Sequence, residues 1–230
     1  MVGPVSSTPN LSLVILYIFN KILDYFPIRA ILFVKKRDGV IMYKLCKTER
    51  SATRQREMEA GLLEMMSTQR YEEISVSDLC DYLAIPRKAF YRYFTSKDGA
   101  LHALIDHTLM EYEAFPALPG TRTIEKDLER FFRFWLHHRS FLDVLQRNGM
   151  SAILIARCIE TTVGGTIPKR FLAQEDPETR RAIARFSVCG LMTMVLDWHH
   201  SGYLTSAAHM GKMAVRLLNQ PLFPSASDLI

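Results

Sequence analysis

Arg87, Lys88, Arg92 and Lys97 fall in one stretch, PRKAFYRYFTSK (86–97), together with Phe90, Tyr91, Tyr93 and Phe94. Cations interleaved with tyrosines suit a polyanion, because Arg and Lys attract phosphates, Arg also reads base edges, and a phenol hydroxyl donates to phosphate oxygens. On a helix Phe90 and Phe94, four residues apart, share one face. They are expected to close a small core with Leu62, Val76 and Leu79. Arg87, Lys88, Ala89, Tyr91, Arg92 and Tyr93 are left for the other faces, and small Ala89 allows close approach to a groove floor. The competing reading is a solvated basic face with partly buried tyrosines, since charged helix faces are commonly only solvated.

Other residue types that could do chemistry do not assemble. His137-His138 and His199-His200 are adjacent pairs, so on a helix their side chains diverge by ~100° and cannot share a metal as an i, i+4 pair does. TTVGGTIP (161–168) lacks the spaced glycines and Lys of a phosphate loop and reads as a helix-ending turn. Cys46, Cys80, Cys158 and Cys189 are scattered without a CxxC pair, as expected of reduced thiols rather than a disulfide framework. No nucleophile, base and orienting group share a local signature. We therefore expect no catalytic residues, no metal, no cofactor and no enzyme.

The chain has 230 residues, 48% hydrophobic and 23% charged, which is globular rather than disordered composition. Its net charge of +5 is unevenly placed. Residues 1–41 carry five Lys/Arg against two Asp/Glu; residues 42–110 carry ten against ten; residues 111–230 carry fourteen against twelve. A uniformly basic nucleic-acid binder is excluded, so any such affinity rests on local patches. One is the 86–97 stretch. The other is the arm Lys44, Lys47, Arg50, Arg54 and Arg56.

Helical signals place these patches. Met58, Leu62 and Met65 recur at helical spacing over 53–68, with Gly61 leaving room for a close neighbour. Ser75, with Asp78 three residues on, reads as a capping box. Val76, Leu79, Cys80 and Leu83 form the stripe of a short helix. Pro86 suits the first position of the next, expected to run to Phe94. Thr95 or Ser96 starts a longer helix with Leu101, Leu104, Ile105, Thr108 and Leu109 on one side, stopped by FPALPG (115–120). Two short helices joined by a tight turn, the second one basic, make a helix-turn-helix.

The run from Thr53 to Ile105 resembles the DNA-binding domain of the tetracycline-repressor (TetR) family of bacterial transcriptional regulators. The likeness lies in the order basic arm, helix, YEEISVSDL, FYRYF and SKDGAL, and covers about residues 50 to 110. It implies base or groove contacts for Arg87, Lys88, Ala89 and Arg92. It implies phosphate contacts for Tyr91, Tyr93 and Lys97, helped by Ser75, Val76 and Ser77 at a helix start. Arg54 would reach the neighbouring backbone or minor groove. The chain departs from the family where its usual turn Gly is Ala84, its common Ser or Thr cap is Pro86, and a small residue is Lys88.

Residues 121–220 read as all-helical. A wide apolar face holds Ile124, Leu128, Phe131, Phe132, Trp135 and Leu136, and Asp176-Pro177 opens a long helix past Trp198. The resemblance implies an all-α protein in two domains: 42–115 for DNA, and a bundle over 121–220 for dimerisation and effector sensing, before a tail at 221–230. Helices 177–201 and 205–218 are the expected dimer pair, with Met194 and Val195 at the interface or the adjacent core. Phe131, Trp135, His138 and Trp198 are candidates for an effector pocket. The expected function is that of a cytoplasmic, homodimeric repressor. Its recognition helices, one DNA turn (~34–36 Å) apart, would match a pseudo-palindromic operator until a small effector releases it. The alternative keeps the fold but gives the bundle a protein partner. Residues 1–41 are expected to be poorly ordered or foreign to the native protein, whose synthesis would then start at Met42. Their longest apolar run, LSLVILYIF (11–19), is far below the ~20 residues of a membrane span.

Overall fold

The structure, a computed structural model, describes residues 36–37, 40–121, 123–164 and 176–219. The expectations for the rest of 1–41, for the turn after Gly164 and for the tail lie outside the described residues. Nine α-helices are described: α1 (Glu49–Thr68), α2 (Val76–Tyr82), α3 (Arg87–Phe90), α4 (Lys97–Ala114), α5 (Ile124–His137), α6 (Arg139–Arg147), α7 (Ser151–Gly164), α8 (Pro177–His200) and α9 (Ala207–Asn219). A 3₁₀ turn, Tyr71–Glu73, links α1 to α2, and a two-residue antiparallel ladder pairs Lys36–Arg37 with Val40–Ile41. Apart from that ladder and one bridge between Tyr43 and Phe94, the described residues are all-α.

The described helices form two compact units. One comprises 36–115 and 137–164, the other 116–136 and 176–219. The first unit breaks off at Phe115, and it also takes in 137–164, because α6 packs with α1 and α7 with α4. Apolar periodicity tells a helix which face to bury, not against what.

The first unit is built around α4. Its residues from Gly99 to Leu109 are all buried, not one side only as expected, and it packs against α1 and α7. A helix buried all round must pair its polar groups internally. Asp106 receives Arg157 of α7 on both oxygens, with Arg157 Nε 2.8 Å from Oδ1. His107 Nδ1 sits 2.8 Å from Glu59 Oε2 of α1. Gly61 of α1 meets Leu83 as expected; a Cβ there would lie 2.7 Å from Leu83 Cδ2.

Local chemistry explains the helix-turn-helix boundaries. Thr48 caps α1, which starts four residues earlier than expected, and Ser75 and Asp78 form the expected capping box of α2. The turn after α2 is a Schellman motif: Ile85 N–H donates to Cys80 O (2.9 Å) and Ala84 N–H to Asp81 O (3.1 Å). Such a motif needs a left-handed residue, and Ala84 takes it at φ 51°. Pro86 is the N-cap of α3 rather than its first residue, and the α-helix stops at Phe90, so Tyr91–Tyr93 continue as turns. Ser96 caps α4. Lys97 is held by the protein itself. Its ammonium donates to the carbonyls of Tyr71 and Ile74, both at 2.5 Å, and lies 4.1 Å from the centre of the Tyr71 ring. Asn148, after α6, accepts from Tyr71 N–H at 2.7 Å and donates to Met66 O at 3.0 Å.

In the second unit α5 buries Leu128, Phe132, Phe134 and Trp135, while Phe131, Ile124 and Leu136 are half-buried. Gly211 of α9 lies against the α5 backbone, where a Cβ would come 2.9 Å from Glu129 N. Asp176 and Pro177 open α8 as expected.

Two substitutions probe these features. Ala84→Gly removes the left-handed strain of an L side chain and should stabilise the protein by about 0.5–1 kcal/mol, read as a higher urea midpoint at unchanged slope. Lys97→Met leaves two carbonyls without their charged donor and should cost about 1–2 kcal/mol. Unchanged stability with a shallower salt dependence of DNA binding would return Lys97 to the phosphates.

Candidate nucleic-acid interface

The α3 segment stands on two aromatic rings. Phe90 and Phe94 are fully buried with ring centroids 5.1 Å apart, Leu62 and Leu79 are buried too, and Val76 is half-buried. With its inner face held this way, the segment presents Arg87, Lys88, Tyr91 and Arg92 to solvent and keeps Ala89 and Tyr93 half-buried. Arg87 Nη2 donates to Tyr91 Oη at 3.4 Å, and its guanidinium lies 5.9 Å from that ring's centre. This intrahelical tether holds the fork upright without neutralising it. Tyr91 is 49% exposed and packs edge-on against Phe90.

Tertiary structure adds what the sequence left unlinked. Arg92 and Tyr93 line an open cleft of about 980 Å³ with Arg50, Arg54 and Thr53 at the start of α1. The arm and the recognition segment, forty residues apart in the chain, thus share one polar concavity. Arg54 is exposed and paired with Glu57 at 2.9 Å. Arg50 was legible only as one cation of the arm, and its place in the cleft is a product of the fold. Glu49 and Glu57 also line the cleft and temper its charge.

At the start of α2 the dipole is already partly answered. The Asp78 carboxylate accepts Ser75 N–H at 2.8 Å, and Ser75 Oγ accepts Asp78 N–H. The Ser75 bonds, side chain first, hold that carboxyl below its ordinary range. Val76 and Ser77 keep first-turn N–H groups that point outward for an anion, whereas Ser75 is spent on the cap.

The residues proposed for an effector pocket fall in both units. Phe131 and Trp135 stack edge-on at 6.4 Å, and Trp198 packs on Phe132 and Tyr203 with its N–H donated to Thr205 O. These three lie in the second unit, and His138 belongs to the first. Burial, with neighbouring His137, pulls the His138 imidazole down to about 4, so it is neutral at physiological pH. Among the described residues no cluster of three or more His, Cys, Asp or Glu could hold a metal, and no helix is long and apolar enough to cross a membrane.

No family model matches the chain. A curated relative, the HTH-type transcriptional regulator EthR of Mycolicibacterium smegmatis, is 35% identical over 82 residues, 32% of this chain and 37% of its own length. The match thus spans little more than a third of that relative. Among solved structures, a tetR-family transcriptional regulator from Streptomyces coelicolor shares 17% identity at a TM-score of 0.48, over 73% of this chain and 79% of its own. A TetR/AcrR-family regulator from Thermobifida fusca shares 21% at 0.43, over 75% of this chain and all of its own. Over the matched 82 residues the chain is similar to an HTH-type transcriptional regulator, and the capped α2, the left-handed turn and the FYRYF segment with its buried Phe90 and Phe94 fit that likeness.

Proposed function

We propose that the protein is a sequence-specific DNA-binding regulator that works as a homodimer and represses transcription until a small effector releases it from a pseudo-palindromic operator. The observation that carries this reading is the outward row Arg87, Lys88 and Arg92 on a segment whose inner face is locked by Phe90 and Phe94. Base recognition needs such pre-aimed donors, because a bidentate contact tolerates little misalignment. Tyr91 and Tyr93, with Arg54 and the free N–H groups of Val76 and Ser77, would take the flanking phosphates. Lys97, held on protein carbonyls, is left out of this set.

Dimerisation is supported by the α8 surface. Phe186 is 66% exposed, and Gly190 and Thr193 follow on the same exposed side at helical spacing, with nothing within 4 Å of a Cβ built on Gly190. Met213 and Leu217 of α9 are likewise exposed. Large apolar side chains beside a small residue suit a helix of a second copy. Val195 is fully buried within its own chain and Met194 half-buried, so a charge at Val195 would report on folding rather than on association. For the effector, the support is the buried Trp135 indole N–H, which has no hydrogen-bond partner among the described residues and so invites a ligand acceptor.

Two measurements test this reading. On a duplex selected from a random pool by the wild-type protein, Arg87→Ala should lose about 1–3 kcal/mol of discrimination, and equal losses on selected and scrambled duplexes would refute base contact by Arg87. Phe186→Glu should shift the sedimenting species from dimer to monomer while the circular dichroism melting curve is retained. A Phe186→Glu dimer of wild-type strength would move the interface elsewhere.

A further inference from the structure

We infer that Tyr43 is a positioning residue for the recognition segment: through a strap formed by residues 42–46 it sets the aim of α3, with Asp106 and Arg157 as its anchor. The inference rests on the DNA-binding reading above.

A four-residue helix cannot hold its own direction, since it makes hardly more than one helical turn and leaves its last carbonyls unpaired. The strap supplies what is missing at that end. Lys44 N–H donates to Tyr93 O at 2.7 Å, Tyr43 bridges to Phe94, and Met42 O accepts both the N–H (3.1 Å) and the hydroxyl (2.9 Å) of Thr95. Arg92 and Tyr93, which line the cleft shared with Arg50 and Arg54, stand immediately before these bonds. A displaced strap therefore displaces them.

The strap is itself placed by buried chemistry. Tyr43 is buried, and its hydroxyl donates to Asp106 Oδ2 at 2.5 Å. Burial first, and then the Asp106 charge, push that phenol well above its ordinary range, so it remains a donor. Asp106 is already matched in charge by the buried Arg157 guanidinium, which also reaches Glu160 at 2.6 Å. The Tyr43 hydroxyl is therefore not needed to neutralise the carboxylate. What it adds is direction, pinning the middle of the strap to α4. Gly99 has the same logic, because a Cβ there would stand 2.3 Å from Met42 O, and only glycine lets the strap lie down.

Phosphate contacts tolerate small shifts, whereas base contacts do not. Loss of the Tyr43 hydroxyl should accordingly weaken sequence discrimination more than overall affinity. The test uses the full chain, a duplex enriched from a random pool by the wild-type protein, and a scrambled duplex of equal length. Tyr43→Phe is expected to bind the enriched duplex roughly 5- to 100-fold more weakly, and the scrambled one within about twofold of wild type. Gly99→Ala, with the hydroxyl intact, should give the same signature. Wild-type affinity of Tyr43→Phe for the enriched duplex, an equal loss on both duplexes, or failure of that variant to fold each overturns the positioning role. If the wild-type protein enriches no sequence, the DNA-binding reading itself falls and takes this inference with it. If it does enrich one that Tyr43→Phe binds equally well, only the strap's role is lost.

Discussion

A carboxylate sealed from water has to be answered on the spot, and Asp106 is the one around which the first unit is organised. It lies in the middle of a helix buried on every side, where an unpaired charge would cost several kcal/mol. Arg157 meets it from α7 and Tyr43 from the strap. The same helix reaches α1 through His107 and Glu59, and the 3₁₀ turn before α2 through Asp98 and Tyr71. The strap, α7, α1 and the 3₁₀ turn are thus each tied to α4 by a polar bond, and Met58, Leu62, Leu101 and Ile105 are buried in the same unit. Polar bonds inside a core tolerate few alternative geometries, so they confer a defined arrangement more than net stability.

The candidate DNA surface depends on that arrangement because it has little bulk charge to rely on. Ten cations and ten anions balance over 42–110. Attraction comes from where the cations are put: Arg87, Lys88 and Arg92 outward on α3, and Arg50 and Arg54 across the cleft. The anions are largely turned to other tasks. Asp78 caps a helix, Asp98 accepts from Tyr71, and Asp106 and Glu59 are buried with their partners. Glu59 and Asp106 leave the surface, whereas Asp78 and Asp98 stay exposed with one hydrogen-bonding role each.

Lys97 illustrates what a sequence pattern leaves open at single positions. As the last cation of PRKAFYRYFTSK it reads as one more phosphate ligand, yet it folds back onto two carbonyls and an aromatic ring. Lys carries a long flexible stem, and a nearby pair of orphan carbonyls competes directly with solvent or phosphate for its ammonium. Trp198 is a similar case. Read as a pocket aromatic, it lies buried with Phe132 and Tyr203 edge-on to its ring, its N–H given to Thr205.

By itself the sequence determined the helices and the inner face of the recognition segment. Caps such as Ser75, Ser96 and Asp176 act within three residues, and the pairing of Phe90 with Phe94 follows from one helical turn, so both are legible locally. Even the departure at Ala84 was visible as a missing glycine, and the structure shows the left-handed backbone it must adopt. Tertiary structure alone decided the strap, the cleft and the company of α6 and α7. Tyr43 finds Asp106 across 63 positions, Arg157 finds it across 51, and Asn148 reaches Tyr71 across 77. Hydrophobic periodicity marks which face is buried. It carries no address for the partner, and a buried polar pair has no periodicity at all.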